Sequence, residues 1–416
     1  MELSMKISKT RAIVLSVIFS AVMAIGVAVL AYNPTDWLSF DNKPIADALP
    51  EPVAEVIQSV ESLPVFEPEI DDSKPKVTPS SSEEVAEQLK ALDEQVTAVW
   101  GEEEKKLPSQ TEVVKYSEDL QSRSIIDLKD GKLVIQTLVG EDDLADKSLQ
   151  DALVAALLTS EDPRKVDLLS FKPNPLSTTH PFLFGQIEDN RGRPIESVER
   201  AEAFAQWALK RKVKLVASAK GQMKQISLPL NANHRRIRAD RFAKYIEEAA
   251  KKYQQDPALL YAIAETESHF NPYAVSPEGA MGLMQIVSSS AGIDAMHAMG
   301  KYRAPTRDEL YDPATNAQLG AKYVQLLRDR YLSGINNPEV REIAAIAAYN
   351  SGTNSTLKSF AKKQSQALEA INALTPQEVY DALKTKHRSK ETRLYMQKVT
   401  SARGRYLNKE KDAAPS

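Results

Sequence analysis

Asp256-Pro257-Ala258-Leu259-Leu260-Tyr261-Ala262-Ile263-Ala264-Glu265-Thr266-Glu267-Ser268-His269-Phe270 carries the signals of a capped helix. Asp256 suits the N-cap, and Pro257 falls at the first helical position, where its missing N–H is not needed. At about 100° per residue, Leu260, Ile263, Ala264 and Glu267 share one face, the i, i+3, i+4, i+7 stripe of a core-packed helix. The fourth member is a carboxylate. Glu265 and His269 point away from the stripe and read as solvated. Two readings of Glu267 stand side by side. Its stem packs while its head reaches water, or its carboxyl is buried and chemically active. In the second case, burial and the negative end of the helix dipole both raise its pKa. A glutamate kept protonated near neutral pH is what a general acid requires.

The following segment, Asn271 to Gln285, is a turn-rich loop with two glycines and two prolines. Loops anchored to a rigid element are common sites of binding groups. Glu267-Ser268, Ala274-Val275-Ser276, Gly282-Leu283-Met284-Gln285, Ala348-Tyr349-Asn350 and the stretch Glu391-Thr392-Arg393-Leu394-Tyr395 follow one another in order. Together they resemble the ordered motifs of the soluble-type, goose-lysozyme-like lytic transglycosylases. Upstream, Val99-Trp100-Gly101, Val114-Lys115-Tyr116 and Pro181-Phe182-Leu183-Phe184-Gly185-Gln186 resemble the membrane-bound lytic murein transglycosylase C type. The likeness spans residues 90 to 407.

The resemblance implies cleavage of the β-1,4 bond between N-acetylmuramic acid and N-acetylglucosamine in peptidoglycan, leaving 1,6-anhydromuramoyl ends. It implies Glu267 as the catalytic group, acid first and then base. Ser276, Met284, Gln285, Tyr349, Asn350 and Tyr395 match substrate-binding positions. Each also has a structural reading. Ser276 suits a turn cap before Pro277, and Met284 suits core filling. Tyr349 falls near the end of a helix opened by Asn337-Pro338, while Asn350 and Gly352 suit that helix's C-terminus. Tyr395 shares a stripe with Val399, Ala402 and Tyr406, so its ring reads as core with the hydroxyl reaching a cleft. The chain departs from many relatives by placing Ile286-Val287-Ser288 where a proline follows Gly-Leu-Met-Gln, which leaves the shape of that loop open.

Composition agrees. With 53 basic and 57 acidic residues, nothing points to nucleic acid as a partner. The absence of cysteine excludes disulfides, thiol catalysis and a cysteine-ligated metal, and five scattered histidines show no metal-ligand spacing. No metal and no cofactor are expected. The partners read from the chain are peptidoglycan glycan strands and a membrane; no protein partner is read from it.

Lys6, Lys9 and Arg11 precede an uncharged run from Ala12 to Tyr32, enough for a membrane helix of about 20 residues. The charges predict an N-in, C-out anchor over residues 1–32 with the remainder in the periplasm. Val29-Leu30-Ala31 also suits signal cleavage, which would leave a soluble periplasmic protein. A lipid-anchored form is excluded for want of a cysteine. Residues 33–82, rich in proline and acid, read as a solvated spacer.

The expected fold class is α+β. Residues 83–231 read as a mixed α/β domain, with antiparallel strands and helices on one side. In it, strands over 125–129 and 132–138 flank a two-residue Asp130-Gly131 turn. Helices are predicted over 144–158 and 199–210, with strands over 212–218 and 222–230. Residues 232–407 read as an all-α, lysozyme-like catalytic domain, and 408–416 as a tail. Asp312-Pro313, Asn337-Pro338 and Thr375-Pro376 mark helix starts, with Glu378 completing a capping box. Two rival functions share this fold. One is a hydrolytic muramidase, with Glu278 or Asp294 as the second carboxylate. The other is a non-catalytic peptidoglycan-binding protein.

Overall fold

The structure, a computed structural model, describes residues 80–140 and 144–413. The expected anchor and nearly all of the expected spacer lie outside the described residues. Among the described residues no helix is long and apolar enough to cross a membrane.

The chain enters through helix α1 (Ser81–Trp100), whose capping box pairs the Ser80 side chain with Glu83. The helix therefore starts inside the expected spacer, because the Ser80-to-Glu83 cap satisfies its first amides. Strands β1 (Glu112–Tyr116), β2 (Ser122–Asp127) and β3 (Lys132–Leu138) follow. Helices α2 (Ala145–Leu157) and α3 (Val198–Lys212) come next, and then β4 (Lys214–Ser218) and β5 (Gly221–Pro229). The five strands form one antiparallel sheet in the order β1-β2-β3-β5-β4.

Alternation along the strands divides the side chains between two cores. Val113, Ile126, Leu133, Ile135 and Ile226 pack with α2 and α3. Val114, Ile125 and Met223 pack with Leu92, Val96 and Trp100 of α1. The sheet is thus covered on both faces, not one, because β1, β2 and β3 carry apolar residues at consecutive positions. The β2–β3 turn also differs from expectation. Asp127 pairs with Lys132, leaving four residues between them. The Asp127 carboxylate accepts from the Lys129 and Asp130 amides at 3.1 and 2.8 Å, which holds the wider turn.

The remaining chain is helical: α4 (His234–Tyr253), α5 (Pro257–Ser268), α6 (Ile293–Ala298), α7 (Arg307–Tyr311) and α8 (Pro313–Leu326). Then come α9 (Pro338–Ser351), α10 (Thr353–Leu357), α11 (Gln364–Asn372), α12 (Pro376–Lys386) and α13 (Lys390–Ala413). The predicted caps at Asp256, Asp312, Asn337 and Thr375 are all formed, each followed by its proline. Helix α13 extends past the expected end at Leu407. It packs along α5, while α8 packs against α4, and these helices enclose one large apolar core. The molecule is α+β, with the sheet segment first and the helical segment second.

Candidate active site

Helix α5 is fixed at both ends. At its start, Asp256 accepts from the Ala258 amide at 2.9 Å and pairs with Arg403 of α13 at 2.6 Å. At its end, His269 takes a left-handed conformation, φ 53°, and its amide donates to the Glu265 carbonyl. Phe270 continues left-handed at φ 58°. Its ring is fully buried, edge-on to Tyr261 and Tyr406, which offsets the cost of that conformation.

Glu267 lies two residues before the His269 cap and retains some contact with solvent. Burial of its carboxyl, the largest effect, pushes its pKa up to about 8. The Glu391 charge adds to the rise, while the Tyr395 hydroxyl and Lys398 oppose it. The Tyr395 hydroxyl is buried without a hydrogen bond of ordinary geometry, although it feels the Glu267 charge. Burial and the same charge hold the Tyr349 and Tyr395 hydroxyls well above the usual tyrosine range, so both stay protonated. The site therefore has a carboxyl that can carry a proton at neutral pH, with two phenols beside it.

Glu265 is the plain correction to the sequence reading. It is buried, accepting from Arg405 and from the Tyr406 hydroxyl, each at 2.7 Å. Helix α5 is covered by α13 on the side that the apolar stripe leaves open, and α13 brings both partners. His269 is likewise half-buried, and burial pushes its pKa down to about 4.

The loop after α5 places the other expected groups. Ser276 is buried, and its hydroxyl accepts from the Ala280 amide at 3.1 Å, so it caps a turn. Met284 is fully buried, with its sulfur against Gly320, where a Cβ would lie 2.3 Å from it. Its carbonyl accepts from the Tyr349 hydroxyl at 2.8 Å, tying the loop to the end of α9. Gln285 is left-handed at φ 48°; its amide nitrogen donates to the Gly282 carbonyl, while its buried side-chain oxygen has no partner. Gly282 has φ 76°, and a Cβ there would lie 2.5 Å from both Asn316 Nδ2 and the Leu310 carbonyl. Glycine is required on both counts. Asn350 stays inside α9, donating to Glu391 at 3.0 Å and accepting from Thr392 at 2.7 Å; Gly352 is the cap.

Sequence reasoning missed the residues that hold this loop. Asn316 is fully buried; it donates to the Met281 and Leu310 carbonyls and accepts from the Met284 amide. Ser268 donates to the Leu283 carbonyl at 2.8 Å. An Asn beside Ala317 and Leu319 near the start of a helix was the available signal. The carboxylate whose field reaches Glu267 is Glu391, not Glu278, which is exposed, nor Asp294, which accepts from Tyr331 at 2.9 Å.

Residues 79–254 match the family described as membrane-bound lytic murein transglycosylase C, N-terminal domain, and residues 244–372 match the transglycosylase SLT domain. Membrane-bound lytic murein transglycosylase C of Salmonella typhimurium is 40% identical over 308 residues, covering 74% of this chain and 85% of that protein. Proteins of that name from Salmonella typhi and Salmonella arizonae match to the same extent. An inactive mutant of lytic transglycosylase Slt from Pseudomonas aeruginosa is 24% identical, covering 40% of this chain and 24% of that one, with a TM-score of 0.29. For the 70 kDa soluble lytic transglycosylase of Escherichia coli the values are 24%, 39%, 24% and 0.31.

Proposed function

The chain belongs to the membrane-bound lytic murein transglycosylase C family, and from that premise we propose that it cleaves peptidoglycan with Glu267 as its one acid–base group. The observation that carries this reading is a carboxyl held near pKa 8 by burial, with the Tyr349 and Tyr395 hydroxyls as neighbours. Protonated Glu267 delivers its proton to the oxygen leaving the anomeric carbon of N-acetylmuramic acid. The substrate's N-acetyl group stabilises the cationic centre. Glutamate then takes the proton from the C6 hydroxyl as that oxygen attacks the anomeric carbon, closing the 1,6-anhydro ring. No water is consumed, and the group ends as it began, protonated. Acid and base are one residue, so a pKa close to working pH serves both steps.

Substrate contacts fall to Gln285, whose buried oxygen lacks a partner, and to the hydroxyls of Tyr349 and Tyr395. Ser276, Met284 and Asn350 support the site by fixing the loop and Glu391. The sheet segment over 83–231 acts as scaffold to the helical segment over 232–407. The protein works in the periplasm, held at the inner membrane by residues 1–32.

A hydrolytic route has one observation in its favour, the Glu391 charge acting on Glu267. An inverting hydrolase would use such a second carboxylate to hold water. Digestion of purified sacculi in oxygen-18 water separates the routes. The anhydro route gives products one water lighter, without a reducing end and without label. Label at the new muramic acid end would replace this proposal with hydrolysis.

A further inference from the structure

The first turn of α1 is built into the back of the active-site loop. Ser82 is 2% exposed, and its hydroxyl oxygen accepts from the Ser288 amide at 2.7 Å. The Ser288 hydroxyl donates to the Pro305 carbonyl at 2.9 Å, and Ser81 donates to the same carbonyl at 3.2 Å. Gly279, left-handed at φ 74°, lies so close that a Cβ would sit 2.0 Å from the Ser82 carbonyl oxygen. Val85, one turn on, is fully buried in the helical core and not in the sheet's core. Only from Leu89 onward does α1 join the sheet.

Gly279 and Ser288 bracket Met284 and Gln285. The contacts of Ser268, Asn316 and Tyr349 hold the middle of this loop, and Ser82 holds its two flanks. Removing the Ser82 hydroxyl would leave the Ser288 amide buried without a partner, which is costly if the loop stays in place. Moving the loop toward water would avoid that cost, and Gln285 would move with it.

We propose that Ser82 is a positioning residue for glycan cleavage, setting the 279–288 segment against Glu267 from outside the helical segment. The proposal rests on the lytic transglycosylase reading above.

The test uses the full chain with Ser82→Ala, Ser82→Cys and, as control, Thr97→Ala, which removes a side-chain hydrogen bond to Asp93 in the last turns of α1, away from the loop. The readouts are kcat and KM on soluble murein glycan strands and hydrogen–deuterium exchange of the 276–288 peptide. Ser82→Ala should lower kcat about tenfold with KM within about twofold, and should speed exchange in that peptide. Ser82→Cys, with a weaker acceptor, should fall between and carries the test if the alanine variant fails to fold. Thr97→Ala should leave kcat and loop exchange unchanged. Wild-type kcat and exchange in the Ser82 variants would overturn the proposal, as would equal effects from Thr97→Ala. Inactive wild-type protein would sink the enzymatic reading instead, and loop exchange would still report whether Ser82 sets the loop.

Discussion

Arg238 donates through Nε to the carbonyl oxygen of His269 at 3.0 Å, joining the sheet segment to the end of α5. The same guanidinium, fully buried, donates to the Leu128 carbonyl and the Gln186 side chain. It therefore spans the β2–β3 turn, the loop before α3 and the left-handed cap that follows Glu267. Arg238→Lys keeps the charge but not the planar fork. Unfolding in denaturant should show a loss of about 1–3 kcal/mol; wild-type stability would mean that the junction is held elsewhere.

Glu267→Gln should preserve the fold and reduce sacculus digestion by at least ~10²-fold, since Gln can neither give nor take the proton. Wild-type activity should fall above about pH 8, where Glu267 loses its proton. A flat rate up to pH 10 would remove Glu267 from the acid role.

The same substitution should change stability with a definite sign. The unfolded carboxyl ionises near 4.5 and the folded one near 8. Between these values folding takes up a proton, so wild-type stability falls as pH rises. Gln has no proton to take up. Melting temperatures measured from pH 5 to 8 should show the variant gaining steadily on the wild type. Parallel curves would mean that the carboxyl is solvated.

Glu265→Gln should be destabilising, contrary to what the sequence suggests. It weakens two short hydrogen bonds to α13 and leaves Arg405 without its carboxylate. A loss of about 1–3 kcal/mol is expected, with catalysis altered far less than in Glu267→Gln. Chemical denaturation and a sacculus-release assay check both halves.

Asn316→Ala removes three buried hydrogen bonds, two of them to Met281 and Met284 of the loop and one to the Leu310 carbonyl. It should cost about 2–4 kcal/mol and lower activity through the displaced loop. Unchanged activity in a folded variant would show that Tyr349 and Ser268 suffice to hold the turn.

The features legible in the sequence share a short reach. Asp256, Asp312, Asn337 and Thr375 cap helices whose amides lie two or three residues away, so local order is enough to reveal them. The Glu267 stripe follows from helical period, and the ordered motifs point to the family. What the sequence misjudged depends on distant partners. Glu265 looked solvated because its partner Arg405 is 140 residues away, brought in only when α13 packs on α5. The second covered face of the sheet required α1 to fold across it. Ser82 looked like the end of a spacer until the Ser288 amide, 206 residues on, met its hydroxyl. Caps and periodicity are written within a few residues. Burial and hydrogen-bond satisfaction are set by whatever the fold carries alongside, so only the tertiary structure could decide them.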